Sequence, residues 1–214
     1  MINKTKDSQI SVIIPVFNEE KVIGRCLKSL AGQTMKPKEI IVIDDGSTDG
    51  TYDGILRFAQ DDVAVLKQEH KGAGSARNLG VKRATGDILV FVDADMTFNK
   101  TFLEDLVKPI LEGKSKGTFS KLEYIANWNN RFSRFWNYAK GIYEPRSIPA
   151  DYPETSPVFR AILKSEFDRA GGCDESKGYN DDWSLSEKLG NKATETKAGF
   201  YHYNPENLSE VFIQ

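Results

Sequence analysis

The sequence predicts an α/β fold with a mainly parallel central sheet that helices flank on both faces. Short apolar runs recur along the first half of the chain, and amphipathic segments of helix length separate them. Three of these runs end directly in a polar cluster: residues 10–14 before Pro15–Glu19, residues 39–43 before Asp44–Ser47, and residues 87–92 before Asp93–Asp95. Because parallel sheets bind ligands at the carboxyl ends of their strands, we expect the three clusters to converge on one crevice. Several carboxylates in one crevice suit a divalent cation and a phosphorylated ligand.

Helical periodicity and helix-start residues place the other elements of the first half. A helix from near Glu19 is predicted by an apolar face made of Val22, Ile23, Cys26, Leu27 and Leu30. The capping residues Ser47–Asp49 predict the start of the next helix. The remaining predicted elements are a strand at 63–68, a helix from Gly72 to about Ala84 and a helix at 100–111.

From about Gly117 the regular alternation ends, and a different set of elements is predicted. These are a strand at 119–125, an aromatic helix at 127–143, a proline-rich loop at 144–157, a strand at 158–163, a short helix at 166–170, a helix at 181–189 and a strand at 198–203. Because no linker or internal repeat separates the halves, we predict one domain over residues 1–214, with a nucleotide-binding half at about 9–116 and a substrate half at about 117–204. Residues 205–214 begin a helix without a stop signal, which predicts truncation from a longer parent protein.

The composition excludes several classes of protein. With 214 residues and a formal net charge of −2, the chain has no general attraction to nucleic acid or to anionic membranes. Its two cysteines, Cys26 and Cys173, are too far apart for a metal-binding cysteine motif and do not indicate a disulfide framework. No apolar run reaches the roughly 18–20 residues that span a bilayer, and the first residues do not resemble a signal peptide. The sequence therefore predicts a cytoplasmic protein.

Five motifs in order resemble those of the family 2 glycosyltransferases: Ile10–Glu19, Ile40–Asp49, Gly72–Gly80, Asp87–Asp95 and Gly171–Leu185. The resemblance extends over nearly the whole chain. It implies the GT-A fold, a Rossmann-like arrangement, and transfer of a sugar from a nucleotide-sugar donor with inversion of the anomeric centre. It also implies that a UDP-linked donor binds to the half at 9–116, and that a hydroxyl-bearing glycan or a lipid-linked acceptor binds to the half at 117–204.

Asp93-Ala94-Asp95 is the predicted metal motif. Hard cations such as Mn²⁺ or Mg²⁺ take oxygen ligands and need only one or two protein carboxylates when substrate phosphates complete the site. The resemblance implies that Asp95 binds the metal directly, that Asp93 contacts the ribose or the metal, and that Ala94 lies in the donor site. The alternative is that Asp95, Thr97 or Asn99 only caps the following helix. His202 is a further candidate ligand, with a structural histidine as the alternative.

Two strand ends are predicted to bind the nucleoside. Pro15–Glu19 resembles the family's nucleoside loop, in which Phe17 packs on the base, Pro15 and Val16 offer backbone groups and Glu19 also belongs to the site. Asp45 would accept a hydrogen bond from the base, whereas Asp44 is expected to be structural. The alternatives are a plain strand-to-helix loop for the first segment and a turn or N-cap role for Asp45.

The segment from Gly72 to Asn78 predicts a contact between the donor and a helix N-terminus. Its small residues let the backbone approach a ligand, and Arg77 supplies a cation. The segment lacks the Lys of a Walker motif and does not follow the first strand as a Rossmann fingerprint does. The alternative for Arg77 is a surface arginine on a helix.

Asp181-Asp182-Trp183 is the predicted catalytic cluster. An inverting transfer needs a carboxylate base on the side of the acceptor hydroxyl. By resemblance Asp182 is this base, while Asp181 and Trp183 face the acceptor; the family usually has Glu where this chain has Asp181. The alternative is that the two carboxylates only stabilise a helix start.

The aromatic and basic stretch from Tyr124 to Tyr143 has three interpretations: a core helix, an acceptor groove, or a helix on a membrane surface that would give the parent protein a peripheral membrane contact at its cytoplasmic face. Two rival functions also remain. A nucleotidyltransferase that forms sugar nucleotides would carry a basic, glycine-rich loop after the first strand, which Pro15–Glu19 lacks. The intact carboxylates Asp93, Asp95 and Asp182 argue against a non-catalytic sugar-nucleotide-binding module.

Overall fold

The structure is a computed structural model that describes residues 9–58 and 63–208, apart from the side chains of residues 179–182. Its strands are β1 Ile10–Val16, β2 Glu39–Asp44, β3 Val63–Lys67, β4 Ile88–Phe91, β5 Met96–Phe98, β6 Gly117–Phe119, β7 Glu123–Ile125, β8 Thr155–Ser156, β9 Ala161–Leu163, β10 Ala193–Glu195 and β11 Phe200–His202. Its helices are α1 Ile23–Ala31, α2 Thr51–Phe58, α3 Ala73–Arg83, α4 Phe102–Leu111, α5 Arg131–Ala139, α6 Lys164–Ala170 and α7 Ser184–Leu189, with a 3₁₀ helix at Glu175–Trp183 before α7.

The central sheet confirms the predicted α/β class. Its strand order in the described residues is β3-β2-β1-β4-β9-β6-β10-β8, and the first four strands are parallel to one another. Beyond β4 the sheet is mixed, because β9 runs antiparallel to both β4 and β6. Alternate residues of β1 face opposite layers: Val12 and Ile14 pack with α1 and α4, whereas Ile13 packs with α3. Helices therefore cover both faces of the sheet.

A second, three-stranded sheet of order β5-β11-β7 was not predicted as such. The strand β5 was missed because its three residues are too few to show any periodicity. In this sheet β11 lies in the middle, antiparallel to β5 and parallel to β7. Buried rings of Phe98, Phe102 and Phe200 pack beneath it. The sheet thus joins β5, from the first half of the chain, to β7 and β11, from the second half.

Several predicted elements differ in their bounds. The helix predicted from near Glu19 begins at Ile23, because the carbonyl of Glu19 first closes a turn by accepting from Val22 and Ile23. The strand predicted at 119–125 is divided into β6 and β7. The helix predicted at 181–189 is a 3₁₀ helix up to Trp183 and an α-helix only from Ser184.

The aromatic helix α5 is shorter than predicted, since Asn130 caps it by accepting from the N–H groups of Phe132 and Ser133. Its fully buried residues are polar, Ser133 and Asn137, while Phe135 is 66% exposed. The core-helix interpretation is therefore wrong for Phe135, and the two surface interpretations remain predictions. No helix in the described part of the chain is long and apolar enough to cross a membrane.

Candidate active site

The three predicted polar clusters meet at one edge of the sheet. Because β2, β1 and β4 are adjacent and parallel, Pro15–Glu19, Asp44-Asp45 and Asp93–Asp95 all follow strand ends on the same side. A pocket of about 520 Å³ opens at this edge. The residues that line it include Phe17, Glu19, Arg25, Asp95, Asn127 and Tyr203.

Asp93 is held between two arginines. Arg77 of α3 donates from Nη2 to Oδ1 at 2.9 Å, and Arg160 donates from Nη1 to Oδ2 at 3.0 Å. Burial by itself would raise the pKa of Asp93, but the charges of Arg160 and Arg77 outweigh it and hold that pKa well below its usual range. Arg77 is only 7% exposed, so the surface-arginine alternative is wrong. Arg160 was not identified from the sequence, because only the antiparallel pairing of β9 with β4 brings it here.

Asp95 and His202 form the part of the site that fits a cation. The Nε2 atom of His202 lies 2.8 Å from Oδ2 of Asp95, and its Nδ1 atom lies 2.9 Å from Oε1 of Glu123. Burial alone would lower the pKa of His202, but the two carboxylates raise it well above its usual value. The other oxygen of Asp95, Oδ1, is buried and has no hydrogen-bond partner among the described residues.

An unpaired buried carboxylate oxygen is costly unless a positive group satisfies it. No group of three or more His, Cys, Asp or Glu in the described residues could hold a metal ion by itself. A cation that keeps waters and shares substrate phosphates needs fewer protein ligands, and Asp95 fits that requirement. His202 fits it when the cation replaces the proton that Nε2 shares with Asp95. Asp93 fits it less well, because both of its oxygens already accept from arginines.

Glu19 adds a third carboxyl group to the same pocket. Burial, together with the nearby charges of Asp95 and Asp93, raises the pKa of its carboxyl group to about 8. Without a metal, the pocket therefore disfavours the ionised form of Glu19 at neutral pH. A bound cation would relieve this repulsion.

We expect Glu19→Gln to stabilise the metal-free chain at alkaline pH. Because the folded-state pKa of Glu19 lies above its ordinary value of 4.5, the free energy of unfolding falls as the pH rises from 4.5 towards about 8. At pH 8.5 a gain on the order of 1 kcal/mol would raise Tm by about 2–4 °C, whereas at pH 4.5 the two proteins should melt together. Calorimetric melting at both values checks this. The exposed neighbour variant Glu20→Gln is the control, and an equal gain at both pH values would contradict the assignment.

Asp45 organises the loop that leads into α3. Its Oδ1 accepts from Gln68 Nε2 at 2.6 Å and from the N–H of Lys71 at 2.9 Å, while Oδ2 accepts from the N–H of Gly72 at 2.8 Å. His70 lies 2.9 Å from Oδ2, and its ring stacks on Phe17 with centroids 4.0 Å apart. This geometry supports the turn-type role for Asp45; acceptance from a base remains a prediction.

Asp45→Asn should destabilise the fold. The amide nitrogen would face a backbone N–H where an oxygen now accepts, and a buried donor left unsatisfied costs about 1–3 kcal/mol. Urea unfolding should show this loss, with Asp53→Asn on the exposed face of α2 as a control that costs little. Unchanged unfolding of the Asp45 variant would mean that the loop is held by other contacts.

The remaining predicted residues are placed as follows. Val16 and Ala94 are buried, so only their backbone groups can reach a ligand, while Pro15 is partly buried at the end of β1. Gly72 precedes α3 with φ +90°, a conformation that favours glycine. Asp44 accepts from the N–H of Ser47 at 2.9 Å, in keeping with a structural role.

The predicted catalytic cluster is only partly visible. The side chains of Asp181 and Asp182 lie outside the described residues, although their backbone belongs to the 3₁₀ helix Glu175–Trp183. Trp183 is 49% exposed, so its ring is available to a ligand. The roles of these three residues remain predictions.

Comparison with known proteins shows which family has a sequence like this one. The model of the glycosyl transferase family 2 matches residues 11–170. Glycosyltransferase GlyA of Streptococcus pneumoniae is 39% identical over 108 residues, which are 50% of this chain and 16% of GlyA. Glycosyltransferase GlyG of the same organism is 37% identical over 135 residues, 62% of this chain and 44% of GlyG. The chain thus spans less than half of either relative.

A solved structure of S. aureus TarS, residues 1–349 in complex with UDP-GlcNAc, is similar with a TM-score of 0.73. The similarity covers 94% of this chain and 60% of the TarS chain, at 24% identity. At this identity the likeness shows a shared fold.

Proposed function

This chain belongs to glycosyl transferase family 2 and has its GT-A fold, and on that premise we propose that it is a metal-dependent, inverting glycosyltransferase. It moves a sugar from a UDP-linked donor to a hydroxyl-bearing glycan or a lipid-linked acceptor. The observation that carries the metal dependence is the buried Oδ1 of Asp95, which lacks a hydrogen-bond partner in the described residues and belongs to a residue that lines the pocket.

The residues around the pocket have separable tasks. Asp95 and His202 would hold Mn²⁺ or Mg²⁺. When bound, such an ion supplies Lewis-acid stabilisation of the negative charge on the departing diphosphate. Arg77 and Arg160 keep Asp93 ionised and oriented at the strand end, where it can accept from a ribose hydroxyl.

Asp182 takes the acceptor proton. As the acceptor oxygen bonds to the anomeric carbon, its hydrogen passes to the carboxylate, and the bond between that carbon and the diphosphate oxygen breaks. Attack from the side opposite the diphosphate inverts the anomeric centre. A phosphate acceptor is already anionic and would not need this base.

Calorimetry with nucleotides tests the proposal. UDP comes first because the similar TarS structure contains UDP-GlcNAc. We expect UDP to bind with Mn²⁺ present and to bind much more weakly after EDTA treatment. UMP serves as the matched control ligand, since it lacks the diphosphate that would share the cation, and metal should change its binding much less.

Each outcome has a distinct meaning. Equal UDP binding with and without Mn²⁺ would contradict metal dependence. A preference for GDP would overturn only the assignment of the nucleotide base. Absence of binding to every nucleoside diphosphate would overturn the donor site. UDP-sugar binding without transfer to any of a panel of hydroxyl acceptors would favour the non-catalytic module.

A further inference from the structure

Glu123 is a buried carboxylate that the proposed reaction does not use. It is 7% exposed at the start of β7, and its Oε1 lies 2.9 Å from Nδ1 of His202. Nothing in the local sequence Lys121–Ile125 marks it as part of a site. Its partner His202 is 79 residues further along the chain.

The backbone pairing of the small sheet determines this contact. In the parallel ladder between β7 and β11, Glu123 pairs with Phe200. Because side chains alternate along a strand, His202 points to the same face as Phe200 and therefore to the same face as Glu123. On the other side of β11, His202 pairs with Met96, which directly follows Asp95.

The imidazole of His202 thus lies between two carboxylates that differ in their relation to the pocket. Asp95 lines the donor pocket, whereas Glu123 does not. Without a cation the ring donates from Nδ1 to Glu123 and from Nε2 to Asp95, 2.8 Å away. A cation held by Asp95 would take the place of the Nε2 proton, while Nδ1 keeps its hydrogen bond to Glu123. In metal-binding proteins a ligating histidine usually donates its second ring N–H to a carboxylate or carbonyl, which fixes the ring and makes the free nitrogen a stronger ligand.

We propose that Glu123 is a positioning residue that fixes the imidazole of His202 so that Nε2 serves as a cation ligand beside Asp95. The inference rests on the metal dependence proposed above. The competing explanation is that Glu123 only stabilises the small sheet through a buried ion pair. The two explanations differ in whether Glu123 affects the cation itself.

The test measures Mn²⁺ binding in the presence of UDP by electron paramagnetic resonance, without any turnover. Loss of a carboxylate behind a metal-binding histidine typically lowers metal affinity about 10–100-fold, and we expect this for Glu123→Ala. Glu123→Gln keeps an oxygen that can accept from Nδ1 but removes the negative charge that makes the imidazole a stronger ligand. Its Mn²⁺ affinity should therefore fall measurably, but less than that of Glu123→Ala. Pulsed resonance on protein labelled with ¹⁵N-histidine should detect an imidazole nitrogen bound to Mn²⁺ in the unaltered chain and a weaker coupling in Glu123→Ala.

Glu166→Gln is the matched control. Glu166 is also 7% exposed and pairs with Lys116 and Arg169, but it lies on α6 away from the pocket. This variant should lose stability while keeping both the Mn²⁺ affinity and the histidine coupling. His202→Ala should abolish the coupling.

The outcomes separate the two proposals. If the unaltered chain binds no Mn²⁺ with UDP, the proposed metal dependence fails. If it binds Mn²⁺ but affinity and coupling are the same in Glu123→Ala, or if no histidine coupling is seen, the role of Glu123 is refuted while metal use stands. Should Glu123→Ala not fold, Glu123→Gln decides alone, and unchanged affinity and coupling there refute the role.

Discussion

Asp95→Asn is expected to lower sugar transfer on the order of 10³-fold. Lewis-acid stabilisation of a leaving phosphate supplies several kcal/mol, and about 1.4 kcal/mol corresponds to a tenfold change in rate. An amide keeps the shape of the side chain but removes the charge that attracts the cation. In the same variant, UDP binding should lose its dependence on Mn²⁺. Release of UDP from a UDP-sugar, with and without added acceptor, measures the first effect, and calorimetry measures the second.

The control for this variant is Glu20→Gln. Glu20 also lines the pocket, but its side chain is exposed and accepts from the N–H of Gly50 at 3.2 Å. Its loss should change neither transfer nor Mn²⁺ dependence by more than a few fold. If Asp95→Asn retained metal-dependent UDP binding, the cation would have to lie elsewhere in the pocket.

Asp182→Asn is expected to lower transfer to a hydroxyl acceptor by about 10²–10⁴-fold, the usual contribution of general-base catalysis. UDP affinity should change little, because the contacts assigned to the nucleotide and the cation come from other residues. The measurement is a single-turnover transfer rate alongside UDP calorimetry.

Asp181→Asn is the natural comparison for this prediction. It makes the same chemical change at the adjacent residue. It should lower the transfer rate much less if Asp182 is the residue that takes the proton. Near-full transfer by the Asp182 variant to a hydroxyl acceptor would show that another group is the base. The acceptor must be a hydroxyl, since an anionic phosphate would react without one.

The residues at the strand ends were predictable because buried strands appear in the sequence as apolar runs. The runs at β1, β2 and β4 are continuous and apolar, and the polar residues that follow each of them could be assigned to one edge before any contact was known. The helix α3 could likewise be bounded closely from its glycine start. These are local signals, and the structure confirms them.

The partners of those residues were not predictable, because they come from distant short strands. Glu123 reaches His202 only because the short strands β7 and β11 pair, and Arg160 reaches Asp93 only because the short strand β9 pairs with β4. The pairing of such short strands depends on the whole fold. Asp45 illustrates the same limit. Its position suggested a ligand contact, but the donors that surround it belong to the loop after β3.

The position of β9 restricts how this enzyme can be recombined with its relatives. β9 lies beside β4, and Arg160 just before it donates to Asp93, so a strand from the second half of the chain completes the sheet formed by the first half. A chimera cut near residue 116 would take its second half from another protein and would place a foreign strand beside β4 and a foreign residue against the native Asp93. Grafts that exchange the second half should therefore keep residues 160–163 of the host and exchange only the segments on either side of them.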